Sequence, residues 1–125
     1  MNAEILGYEI VEKKSRFIGY AVRVADESEA KNFIAEIAKL HKKSRHVAFA
    51  YVFSATAETS ANARFSDDGE PRGTAGLPLF NAISRRELEN VVVVVVRYFG
   101  GTLLGKGGLM RSYGKAAGMA LDGIL

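Results

Sequence analysis

Six consecutive valines, Val91–Val96, lead into Arg97-Tyr98-Phe99-Gly100-Gly101-Thr102-Leu103-Leu104-Gly105-Lys106-Gly107-Gly108, and a helical pattern begins at Leu109. A β-branched run with no polar alternation makes a buried strand. The chain therefore contains a strand, a glycine-rich loop and a helix start in that order. Such a loop leaves backbone N–H groups unpaired at a helix N-terminus, where they can hold an anion. Arg97, Lys106 and Arg111 place three cations in or beside it. The alternative is purely structural: the glycines supply positive φ angles and let the last helix approach the sheet. On the sequence both readings stand.

The 125 residues, 48% of them hydrophobic, make one domain with its own core. With no cysteine, disulfides and thiol chemistry are excluded, and a reducing, cytoplasmic setting is expected. No charged segment followed by an apolar stretch opens the chain, so no secretory signal is expected. The valine run is far shorter than the roughly 20 residues that cross a bilayer, and no membrane partner is expected. A net charge of +3 is too modest to imply nucleic acid by itself.

Around this unit the other elements fall into place. Residues 6–11 alternate, as do 18–24, and together they predict a hairpin across Lys13-Lys14-Ser15. Its turn lacks Asn-Gly, so a loose connection is expected. Asp26 and Glu29 form an aspartate variant of the capping box. Behind them Ala30, Phe33, Ile34, Ile37 and Ala38 make one helical stripe. Every residue from Val47 to Phe53 is apolar, which predicts a second strand buried on both faces. Residues 54–66 are small and polar and read as a loop. A helix is predicted over 76–88, with Pro78 in its first turn and Leu79, Phe80 and Ile83 inward. In the last helix Gly114 and Gly118 each lower helix propensity by about 1 kcal/mol, which close packing would offset. The order strand, strand, helix, strand, helix, strand, helix predicts an α+β fold. We expect a two-layer sandwich, with a four-stranded mixed sheet and its helices on one face.

Three stretches could carry chemistry. Gly100 to Lys106 has the P-loop spacing G-x-x-x-x-G-K, but Gly107 stands where a magnesium-binding hydroxyl belongs, so nucleotide hydrolysis is a poor fit. Asp67, Asp68 and Glu70, with Gly69 in the same turn, form the densest carboxylate group. They would either hold a metal or act as acid and base, or cap the turn and pair with Arg72 or Arg97. Lys39, Lys42, Lys43 and Arg45 form a run with no acidic residue, either a solvated helix end or a secondary phosphate contact. His41 and His46 match no metal-ligand spacing and read as surface or structural histidines. No nucleophile elbow is present. No catalytic residue, metal or cofactor is assigned.

Asp67-Asp68-Gly69-Glu70-Pro71 with Gly73-Thr74-Ala75-Gly76, followed by Arg97-Tyr98-Phe99-Gly100-Gly101, Leu104-Gly105, Gly107-Gly108-Leu109 and Arg111-Ser112-Tyr113, resembles the IMPACT family in its bacterial, YigZ-like branch. Ser15-Arg16-Phe17-Ile18 resembles it too. The resemblance implies a domain like the second domain of ribosomal protein S5. It also implies that residues 1–125 are a single such N-terminal domain, without the ferredoxin-like domain that usually follows in bacterial members. By that kinship a non-catalytic, translation-related binding role is expected, touching RNA, the ribosome or a protein partner in translation control. The residues proposed for anion or nucleic-acid contact are Arg97, Gly100, Gly101, Gly105, Lys106, Gly107, Gly108 and Arg111. Two rival readings are a metal-dependent enzyme acting on a phosphorylated small molecule and an interaction module presenting Tyr98 and Phe99. In all of them Asp67 or Asp68 is expected beside Arg97.

Overall fold

The computed structural model describes residues 5–58 and 60–125. The chain order is β1 (Tyr8–Glu12), β2 (Ser15–Arg23), α1 (Glu27–Leu40), β3 (His46–Phe53), β4 (Asn62–Ser66), α2 (Gly76–Arg85), β5 (Val91–Tyr98) and α3 (Gly105–Asp122). The α+β class holds, but the sheet has five strands in the order β1-β2-β5-β3-β4, and all four pairings are antiparallel.

The valine strand explains why the predicted layering fails. All six valines are fully buried. Val91, Val93 and Val95 pack with Phe17, Leu79 and Tyr113 on the α2–α3 side, and Val92, Val94 and Val96 with Phe33, Ile37 and Tyr51 on the α1 side. Because strand side chains alternate between faces, an unbroken apolar run needs cover on both. Helices accordingly lie on both faces of the sheet, not on one.

The extra strand lies in the stretch read as a loop. Apart from half-buried Ser66, the side chains of β4 are exposed, so it lacks apolar alternation and is held as an edge strand by its pairing with β3. It also explains why the sheet is not mixed. Without β4, the path β3–α2–β5 reads as a parallel crossover. With β4 reversing the chain first, β5 enters antiparallel to β3.

The β1–β2 turn is tight, contrary to expectation. Glu12 pairs directly with Ser15, and Lys13 and Lys14 both take positive φ, 46° and 70°. This is the left-handed two-residue geometry usually given to Asn-Gly, and it costs side-chain-bearing residues roughly 1 kcal/mol or more each. The glycine loop packs directly on this turn: a Cβ on Gly100 would lie 2.1 Å from the Lys14 carbonyl group. At α1 the capping box forms with its return bond shifted by one residue: Asp26 accepts from Glu29 N–H at 2.9 Å, and Glu29 accepts at 2.9 Å from the N–H of Ala25, the residue before the cap. Gly118 packs closely as expected, with the Arg86 guanidinium 2.9 Å from where a Cβ would sit; Gly114 makes only ordinary contact with Pro78.

Candidate anion-binding cleft

Arg97 ends β5 on the α3 side, with Phe17 of β2 and Tyr113 of α3 as neighbours, and is only 5% exposed. A guanidinium so buried requires a carboxylate. Its partner is Glu70, not the Asp67 or Asp68 expected from the sequence. Arg97 Nη1 donates to both carboxylate oxygens, at 3.0 and 2.8 Å. The Tyr113 hydroxyl donates to Glu70 Oε2 at 2.5 Å. Burial first, then this hydrogen bond and the Glu70 charge, push the phenol well above its ordinary range, so it stays a donor. Arg97 Nη2 reaches Ser15 Oγ at 3.3 Å, and the same oxygen accepts from Gly100 N–H at 3.1 Å. His46 completes the cluster. Its Nδ1 donates to the Asp68 carbonyl at 2.7 Å, since a carbonyl can only accept, and its Nε2 lies 3.5 Å from Glu70 Oε1.

The two aspartates organise backbone. Asp67 accepts from Ala75 and Gly76 N–H at 3.1 and 2.8 Å and from Gly73 N–H at 3.0 Å. It thereby serves the start of α2, which has no side-chain cap of its own. Burial would raise the Asp67 carboxyl, but the N–H groups of Gly73, Gly76 and Ala75, aided by the Arg72 charge, hold it below the usual range. Asp68 accepts from Val47 N–H at 2.7 Å. Each acidic side chain of the turn thus has internal donors. Among the described residues no group of three or more histidine or acidic side chains is gathered to hold a metal.

Beside the cluster lies a cleft of about 600 Å³ formed by the turn, the glycine loop and the start of α3. The helix begins at Gly105, one turn earlier than read, so Gly107 and Gly108 are helical, not loop. Gly101 and Gly105 take positive φ, 91° and 73°, and turn the chain. Of the proposed anion contacts, Gly105 and Lys106 line the cleft, while Arg97 lies in its floor already matched by Glu70. Gly100 is spent on packing against Lys14. Arg111 is exposed and lines two other depressions, each shared with Lys115, one against the β1–β2 hairpin and one against α2. Gly107 packs against the Arg111 guanidinium and Gly108 against Leu104.

The basic run divides likewise. Lys39, Lys42 and Lys43 are exposed around the end of α1. Arg45 lies over the Phe99 ring, 5.1 Å from its centroid, and lines the cleft with His46. Nothing local in the sequence places either residue there: Arg45 precedes β3 and His46 opens it, and both reach the site only through the β3–β5 pairing of His46 with Arg97. Tyr98 and Phe99 are half-buried, Tyr98 bonded to His41 and Phe99 carrying the Arg45 and Arg97 guanidiniums, so neither ring is fully exposed or fully buried.

The Impact N-terminal domain model matches residues 13–121. The IMPACT family member YvyE of Bacillus subtilis is 45% identical over 117 residues, covering 94% of this chain and 52% of that protein. The chain thus spans about half the length of that relative. A solved structure described as a hypothetical protein superposes with a TM-score of 0.87 at 38% identity, over 98% of this chain and 59% of that one. The two-domain translational regulator Yih1 shares the fold, with a TM-score of 0.63 at 24% identity over 96% of this chain and 48% of that one. The matched range takes in the acidic turn, the arginine near the end of β5 and the glycine-lined entrance to α3, and the chain belongs to the IMPACT family and carries its N-terminal domain.

Proposed function

We propose that this domain is a non-catalytic binding module in translation control that contacts RNA phosphates, in the cytoplasm, through the outer face of α3 and its neighbours. One observation carries the reading. Lys13, Arg85, Arg111 and Lys115 are exposed, and none of them makes an ion pair among the described residues. Arg111 and Lys115 stand one helical turn apart. Uncompensated, solvated cations of this kind attract a phosphate backbone without reading its sequence. The kinship to a translational regulator and the implied likeness to a ribosomal-protein domain give the translation setting. The metal-dependent enzyme is disfavoured because the Asp67, Asp68 and Glu70 carboxylates already accept from internal donors.

Fluorescence anisotropy of labelled RNA against salt tests the proposal. Affinity is expected to fall with a log–log slope of about −2 to −3, as for roughly four phosphate contacts on single strands. Arg111→Glu/Lys115→Glu should weaken binding and flatten that slope. Equal binding by the folded double variant, or affinity indifferent to salt, rejects the reading.

A further inference from the structure

The cleft beside Glu70 has more apolar walls than the depressions on the outer face of α3. Leu104 is half-buried and Leu109 buried, while Leu103 at the rim is 80% exposed, the most exposed large apolar side chain among the described residues. Positive charge comes from Arg45 and Lys106, both exposed. The carboxylate lining the cleft, Glu70, is already paired with Arg97 and bonded to Tyr113. An entering anion therefore meets cations without a free opposing acid.

We propose that this cleft docks a peptide segment of a partner protein in which an aliphatic side chain is flanked by carboxylates. The aliphatic group covers Leu103 and lies against Leu104 and Leu109, removing from water surface that is otherwise solvated. The flanking carboxylates meet Arg45 and Lys106. The complementary charges fix orientation and speed encounter, and apolar contact supplies most of the affinity. A volume of about 600 Å³ suits a short segment. A nucleotide fits the same cations but not the walls. Of the two rings lining the cleft, Phe99 already carries the Arg45 and Arg97 guanidiniums, 5.1 and 5.4 Å from its centroid, and the His46 imidazole is held between the Asp68 carbonyl and Glu70, while the three leucines offer a base no aromatic face to stack on. This site is separate from the α3 outer face and does not depend on RNA contact there.

Panning a random heptapeptide phage library against the 125-residue protein tests the proposal. Enriched sequences are expected to carry Leu, Ile or Met with Asp or Glu on both sides. The synthesised consensus peptide should shift the amide resonances of Leu103, Gly105 and Lys106. Leu103→Asp and Lys106→Glu should each weaken it by roughly tenfold or more. Both side chains are exposed, so the variants should melt like the parent, and Arg111→Glu/Lys115→Glu should bind the peptide as the parent does. Failure to enrich, enrichment of basic peptides, or undiminished binding by both cleft variants overturns the proposal. So does uridine monophosphate shifting the same amides where the peptide does not, which would assign the cleft to a nucleotide.

Discussion

Arg97 and Tyr98 are consecutive residues at the end of one strand and point to opposite faces of the sheet, where each anchors a polar cluster of a different kind. On the α3 side the cluster is charged and buried: Arg97, Glu70 and Tyr113, with Ser15 beside them. On the α1 side it is uncharged in its centre and half-buried. His41 sits between two phenols, its Nε2 2.6 Å from the Tyr20 hydroxyl and its Nδ1 2.6 Å from that of Tyr98. Both clusters tie the end of β5 to distant chain. They differ in what remains when a member is removed: an unmatched buried charge on one side, and a polar group that water can reach on the other.

The largest expected effect follows from the charged side. Arg97→Ala strands Glu70 in the interior and should cost about 3–5 kcal/mol in urea unfolding. Replacing both members, as Glu70→Leu/Arg97→Met, removes the stranded charge and should recover a large part of that loss. If the double variant is as unstable as the single one, Tyr113 and His46, and not the ion pair, govern the site. Gly100→Ala comes next. Its Cβ would collide with the Lys14 carbonyl, which the strained two-residue turn cannot move cheaply, and about 1–3 kcal/mol is expected from thermal melts.

Asp67 gives a smaller, pH-dependent effect on the charged side. Asp67→Ala releases three N–H groups at the entry to α2 and should cost about 1–2 kcal/mol at neutral pH. The folded-state carboxyl is held below its unfolded value of 3.8, so its stabilisation is complete above that value and is lost as pH falls through the folded one. Unfolding midpoints of parent and variant should therefore converge in acid. A gap that persists undiminished to pH 2 would show that the side chain acts by packing.

How much of this was legible in the sequence varied with how local the cause was. The α1 cap could be read because Asp26 and Glu29 lie three residues apart and act on their own helix. The valine run announced a buried strand, and applied strictly it also demanded helices on both faces. The prediction of a one-sided sandwich ignored that demand. Strand β4 could not be read, because an edge strand held by backbone pairing needs no apolar pattern. The link between turn and loop was legible in kind but wrong in detail. A carboxylate does meet Arg97, yet which one depends on the turn, where Asp68 and Gly69 take positive φ, and on a pairing 27 residues away. His46 is a structural histidine, in keeping with its sequence, but its partners arise only from its register opposite Arg97 and from the turn.

The smallest effect belongs to the uncharged side and tests the comparison most finely. Burial first, and then the Arg16 charge, lower the affinity of His41 for a proton below the ordinary value of 6.5, with Glu9 opposing. Above 6.5 the imidazole is neutral in both states and its contribution to stability is complete. As pH falls through 6.5 the unfolded chain takes up a proton more readily than the folded one, and that contribution declines until the folded-state value is passed. Parent stability should thus drop between pH 7 and 5 more than that of His41→Phe, which has no proton to bind. At pH 7.5 the substitution itself should cost no more than about 1–2 kcal/mol, because half-buried Tyr98 can turn its hydroxyl toward water and only the buried Tyr20 hydroxyl loses a partner. A cost as large as that of Arg97→Ala would mean that the phenol–imidazole–phenol chain is as unforgiving as a buried ion pair, and the contrast between the two faces of β5 would fall.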